Sequence, residues 1–118
     1  MSSQLNTLMK TAIGLLEVTK LIYVDIDETI CCYLGERKYE LATPLKGNIS
    51  KINKLFDEGN IITYWSARGS TTGIDWTEMT RKQLVSWGCK FHNLCVGEKP
   101  PYDLLICDKA VNSSEYFK

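Results

Sequence analysis

Four short apolar runs punctuate the chain. The first spans residues 21–24 and ends at Asp25; the second spans 61–65 and ends at Ser66. A weaker third covers 93–96, and a fourth covers 104–107 and ends at Asp108. Continuous apolar runs of this length fit strands buried on both faces. Between the first two, Ile49, Ile52, Leu55 and Phe56 recur at helical spacing, with Pro44 ahead and Gly59 behind as start and stop signals. Between the second and third, residues 76–87 read as another helix, ended by Gly88. Asp75 is placed to cap it, with Glu78 three residues later completing a capping box. Strands alternating with helices imply crossovers and a parallel sheet. The expectation is an α/β fold: a single Rossmann-like domain with about four parallel strands flanked by helices.

Ahead of the first strand, Leu5, Leu8, Met9, Ala12, Ile13 and Leu16 make one broad apolar face over residues 4–19. This segment reads as a helical extension, residues 1–20, before a domain of residues 21–118. It either packs on that domain or meets a partner. The 118 residues suffice for one core without disulfide staples.

Charge narrows the function classes. Lys plus Arg and Asp plus Glu each number 14, so there is no basic field of the kind a general nucleic-acid binder needs. Apolar runs fall well short of the roughly 20 residues of a membrane span. Five cysteines cannot all pair within one chain, and Cys31 and Cys32 are adjacent. Reduced thiols and an N-terminus without a secretory pattern fit a cytoplasmic protein. Cys89-x2-His92-x2-Cys95 has permissible zinc spacing, but supplies only three ligands together.

The polar residues at the strand ends are the candidate chemistry. Open α/β sheets bind ligands beyond the carboxyl ends of their strands. That crevice would gather Asp25, Ser66 and Asp108, with Asp27 two residues past Asp25 and Lys99 just before the last strand. Such a set suits phosphoryl transfer. A phosphate dianion repels an attacking carboxylate, so a divalent cation must lie between them. Mg²⁺ takes hard oxygen ligands, which Asp25 and Asp108 can supply. Asp25 is the candidate nucleophile, and Asp27 the candidate acid and base. Ser66 and Lys99 are candidates for gripping the phosphate. Arg68 can reach a substrate phosphate or sugar acid, or form an ion pair instead.

Asp25-Ile26-Asp27-Glu28-Thr29 resembles the DxDxT motif of the haloacid dehalogenase superfamily of phosphatases. Ser66, Lys99 and Asp108 resemble its second, third and fourth motifs, in order, on strand ends. Within that superfamily the small size and Asp108-Lys109-Ala110 most resemble the capsule-biosynthesis phosphatase type, which lacks a large cap domain. The resemblance implies a Mg²⁺-dependent phosphomonoester hydrolase working through an aspartyl-phosphate on a small sugar phosphate or related metabolite. It makes the Asp27 carbonyl a further metal ligand and Thr29 a brace for the loop. It leaves residues 30–43, with Tyr33 and Tyr39, as a loop in place of the cap, lining the substrate pocket. It also allows closure by a neighbouring subunit, hence a homo-oligomer. Cys107 stands where many relatives carry a second acidic residue, and Glu98 adds negative charge beside Lys99. Those departures keep open a catalytically impaired binding or regulatory protein. A nucleotide or polynucleotide phosphatase is the remaining alternative.

Overall fold

A computed structural model describes residues 20–98 and a strand at 104–106. The expected N-terminal helix, and Lys99, Cys107 and Asp108, lie outside the described residues. The elements run β1 (Leu21–Asp25), β2 (Cys31–Cys32), a single 3₁₀ turn (Tyr39–Leu41), β3 (Thr43–Pro44), α1 (Lys46–Asp57), β4 (Ile61–Ser66), α2 (Thr77–Ser86), β5 (Asn93–Val96) and β6 (Leu104–Ile106).

Four strands form one parallel sheet in the order β5-β4-β1-β6. The chain steps outward from β1 to β4 and then β5, with α1 and α2 in the two connections. It then returns to place β6 on the opposite side of β1. The direction of winding therefore reverses at β1, and the crevice at its carboxyl end is the switch point where such sheets bind ligands. This is the Rossmann-like α/β fold expected, with no cap domain among the described residues. No helix among them is long and apolar enough to cross a membrane.

The core lies on one face of the sheet. Ile22 and Val24 of β1 and Ile62 and Tyr64 of β4 pack with Ile49 and Ile52 of α1, and with Leu84 and Trp87 at the end of α2. Each fully buried isoleucine contributes about 1.5–3 kcal/mol. The alternate positions behave differently: Leu21 is 43% exposed, and Tyr23 and Trp65 are half-buried. Thr63, on that same face of β4, is nonetheless buried at 5%, so burial there varies along the strands, while both described helices pack into the one cluster.

The helix stops follow from glycine. Gly59 (φ 98°) and Gly88 (φ 78°) take left-handed backbone. The next residues fold back, Asn60 N–H onto Leu55 O at 3.2 Å and Cys89 N–H onto Leu84 O at 3.0 Å. The start of α2 is shifted from expectation. The helix begins at Thr77, with Trp76 in the N-cap position and no side-chain cap bond there. Asp75 still accepts the Thr77 N–H at 2.9 Å, as an Asx turn just ahead of the helix.

Gly69, in the turn after β4, has φ +84°. A Cβ built there would sit 2.0 Å from Ile74 O and 2.9 Å from Trp76 Cδ1. The left-handed backbone alone costs an alanine about 1–2 kcal/mol, and the backbone clash adds to it. Gly69→Ala should therefore lower the melting temperature by at least several degrees. Thermal unfolding followed by circular dichroism checks this, and an unchanged midpoint would refute the tight approach of residues 69 and 74.

Candidate active site

β1 delivers Asp25 to the carboxyl edge of the sheet, level with Trp65 of β4. The ladder continues one step further, with Ile26 N–H donating to Trp65 O at 3.1 Å. The chain then turns sharply. Thr29 N–H and Ile30 N–H both donate to Ile26 O, at 3.2 and 3.0 Å, and Glu28 takes left-handed backbone at φ 67°. Ile26, Thr29 and Ile30 are buried, so the turn is anchored from below. That geometry lifts Asp27 over the edge of β4, where Ser66 ends the strand.

Asp27 is the hub. Arg68 grips its carboxylate with both arms, Nε to Oδ2 at 3.1 Å and Nη2 to Oδ1 at 2.8 Å. The Tyr33 hydroxyl donates to Oδ1 at 2.6 Å, and Ser66 Oγ donates to Oδ2 at 3.2 Å. The Cys31 thiol lies 3.6 Å from Oδ1. A carboxylate offers about four lone-pair sites, and these four N–H and O–H donors fill them. Burial alone would raise the Asp27 pKa. The hydrogen bonds from Arg68, Tyr33 and Ser66, together with the Arg68 charge, outweigh burial and hold it below the usual carboxylate value. Asp27 is therefore an anion in this arrangement.

Of its two expected roles, substrate contact or ion pair, Arg68 takes the second: its side chain is fully buried, and all five of its N–H donors are committed inside the protein. Besides the two bonds to Asp27, Nη1 donates to Thr80 Oγ1 at 3.1 Å and to Gln83 Oε1 at 2.7 Å. Nη2 also reaches Tyr33 Oη at 3.5 Å. Its guanidinium sits 4.9 Å from the Tyr39 ring centre. Burial on its own would lower the Arg68 pKa, but the Asp27 carboxylate beside it raises the value overall. The ion-pair reading of Arg68 holds, and the substrate-contact reading does not fit this arrangement.

Ser66 is also engaged. Its Oγ accepts the Arg68 backbone N–H at 3.0 Å while donating to Asp27. Rotation of the hydroxyl proton alone would redirect it to another acceptor without moving Oγ. Cys31, although close, is no rival nucleophile. Burial first, and the Asp27 charge second, push its thiol up to about 12, so it stays protonated at neutral pH.

Residues 30–43 form an excursion whose ends are stitched together. Cys31 pairs with Pro44 and Cys32 with Thr43, antiparallel, and Leu45 N–H donates to Ile30 O at 2.8 Å. The excursion lies against Asp27 and Arg68 through Tyr33 and Tyr39. Tyr39 O also accepts Gln83 Nε2 at 2.7 Å, and the Tyr39 ring meets Trp76 edge-on at 5.1 Å. Asp25, Asp27 and Ser66 thus gather at one strand edge, with Arg68 behind them. Tyr33, Thr80 and Gln83 join the network without having been singled out for it. Thr80 and Gln83 are three apart on α2 and so share a face, but nothing in that spacing reveals the charge they meet.

Among the described residues no three His, Cys, Asp or Glu side chains cluster so as to hold a metal ion. The cysteine-histidine stretch is used otherwise. His92 Nδ1 accepts the Ile62 N–H at 3.0 Å, and its ring stacks on Phe56 at 4.6 Å.

The sequence matches no protein-family model and no curated protein sequence. A solved structure shares the fold: the crystal structure of an MCSG target from Vibrio cholerae superposes with a TM-score of 0.64. It is 24% identical, and the match covers 85% of this chain and 88% of that one. A likeness at that identity speaks to the fold and leaves the chemistry to the site itself.

Proposed function

We propose that this protein is a capless, Mg²⁺-dependent phosphomonoester hydrolase of the haloacid dehalogenase type, acting on a small phosphorylated metabolite such as a sugar phosphate. One observation carries the reading. Asp25 stands at the carboxyl end of the central strand, at the switch point of the sheet, with a hydrogen-bonded Asp27–Ser66 pair directly beyond it.

In this reading the Asp25 carboxylate attacks phosphorus, and the alcohol oxygen leaves with a proton. Water then attacks the aspartyl-phosphate while Asp27 accepts its proton, releasing phosphate and regenerating Asp25. The ionised Asp27 suits the second step directly. For the first step it must gain a proton, and turning the Ser66 hydroxyl toward a phosphate oxygen vacates a lone pair on Oδ2. Lys99 supplies positive charge to the phosphate in the same reading, and Arg68 serves by holding Asp27 in place.

The donor chemistry fits Mg²⁺. Asp25 and Asp108 offer carboxylate oxygens and Asp27 a backbone carbonyl, all hard ligands. The Asp27 carboxylate is already saturated by protein donors and is not needed for the metal. When bound, the ion shields the charge of the phosphate from the attacking carboxylate.

The test is turnover of a generic aryl phosphate. Activity should require Mg²⁺, vanish in EDTA and return when Mg²⁺ is restored. Activity undiminished by EDTA would overturn the metal assignment. A second reading, a phosphate-ester binding protein without turnover, is favoured by one feature: Arg68, Tyr33 and Ser66 fill every acceptor site on Asp27. Saturable ligand binding with no phosphate release would support that alternative.

A further inference from the structure

We propose that Tyr33, from the excursion that follows the Asp25–Thr29 turn, is a positioning residue that holds the Asp27 carboxylate in its proton-accepting pose through a hydroxyl donated to Oδ1. The word proton-accepting rests on the phosphatase reading; the bond itself does not.

At 2.6 Å, the contact lies at the short end for an O–H donor on a carboxylate, as charge-assisted bonds do. The phenol is itself held. The Arg37 guanidinium lies 4.8 Å from the Tyr33 ring centre and pairs with Glu28 Oε1 at 2.6 Å. Glu28 follows Asp27 directly, so the excursion closes a ring of contacts through Asp27, Tyr33, Arg37 and Glu28. The Arg37–Glu28 pair is exposed and worth little by itself. The bond in the ring made in a partly buried, water-poor setting is that of Tyr33 to Asp27.

The other donors have separate duties. Arg68 is fixed from behind by Thr80 and Gln83. Ser66 is the hydroxyl that phosphate would recruit. Once Ser66 turns away, Arg68 and Tyr33 are what remain to set the carboxylate. The groups facing Asp27 are Tyr33 and Cys31 from the excursion and Ser66 and Arg68 from the end of β4, with Asp25 two residues earlier on its own segment.

Tyr33→Phe removes only the hydroxyl from a half-exposed ring, so the fold should survive. The Asp27 carboxyl carbon is followed by NMR titration in aspartate-labelled protein, assigned with Asp27→Asn. Its midpoint should rise by about half to one pH unit in Tyr33→Phe, since a donor to the charged form is lost. The acid limb of kcat for aryl phosphate hydrolysis should move the same way, and kcat on the high-pH plateau should fall, because the base is less firmly held. A midpoint that coincides with wild type overturns the proposal, as does a shifted midpoint beside an unmoved acid limb. If wild type turns over no phosphate ester, the phosphatase reading has failed, and the carboxyl titration still decides whether Tyr33 positions Asp27.

Discussion

Replacing Asp25 with asparagine is expected to abolish phosphate-ester turnover, by a factor on the order of 10⁴ or more, as loss of an enzymatic nucleophile does. The carboxamide is close to isosteric but has no anionic oxygen to attack phosphorus. Asp25 occupies the last position of β1, in register with Trp65, where it is fixed by the sheet and does not depend on a loop. The variant thus separates chemistry from placement. Initial rates with an aryl phosphate in Mg²⁺, on protein shown to be folded by circular dichroism, provide the measurement. Turnover in Asp25→Asn equal to wild type would dismiss Asp25 as nucleophile. A further check is trapping with a fluoride complex that mimics the aspartyl-phosphate.

Arg68→Ala should be the most destabilising single change at the site, by about 3–5 kcal/mol. For a domain of this size that is a fall in melting temperature of roughly 10–20 °C. The size follows from burial. Arg68 is 2% exposed and its partner Asp27 only partly accessible, so deleting the guanidinium strands a carboxylate in a water-poor site. It also leaves Thr80 Oγ1 and Gln83 Oε1 without their donor. Much of the cost should disappear in an Arg68→Ala, Asp27→Asn double variant, because the stranded charge is gone. The coupling in that cycle measures the pair directly. The same pair gives stability a sign with pH. The folded Asp27 pKa is depressed, so its stabilisation is fully present above the unfolded carboxylate value of about 3.9. It is lost as pH falls through the lower folded value. Asp27→Asn should flatten that acid limb of the stability curve. An Arg68→Ala variant that melts with wild type would show that the buried pair is not formed in solution.

Both variants also probe how far local sequence reaches. The four strands, the two described helices and the glycine stops were legible because each depends on neighbours in sequence. An apolar run of four or five residues has one economical use in a small α/β domain, and a glycine past the last apolar turn ends a helix through its own backbone freedom. The placement of Asp25 and Ser66 at strand ends followed from the same signal, since a polar residue closing a buried run marks where the strand leaves the core. The structure bears those positions out.

Other features depended on partners distant in the chain. The pairing of β2 with β3 joins residues a dozen positions apart, and two-residue strands carry no period to read. That α1 and α2 share one core cluster is a choice made by crossover geometry, which strand composition does not record. Arg68 is the clearest case. Two residues past Ser66, it could have pointed to substrate or inward. It turned inward because Asp27, Tyr33 and the Thr80–Gln83 face of α2 converge on it from three separate segments and satisfy all five of its donors, which no local pattern could foretell. Tyr33 met Asp27 for the same reason. Which elements form, and which polar residues crown the sheet, follows from neighbours along the chain. Which of those residues face one another is settled only on folding, because a buried charge is placed by the sum of its distant partners.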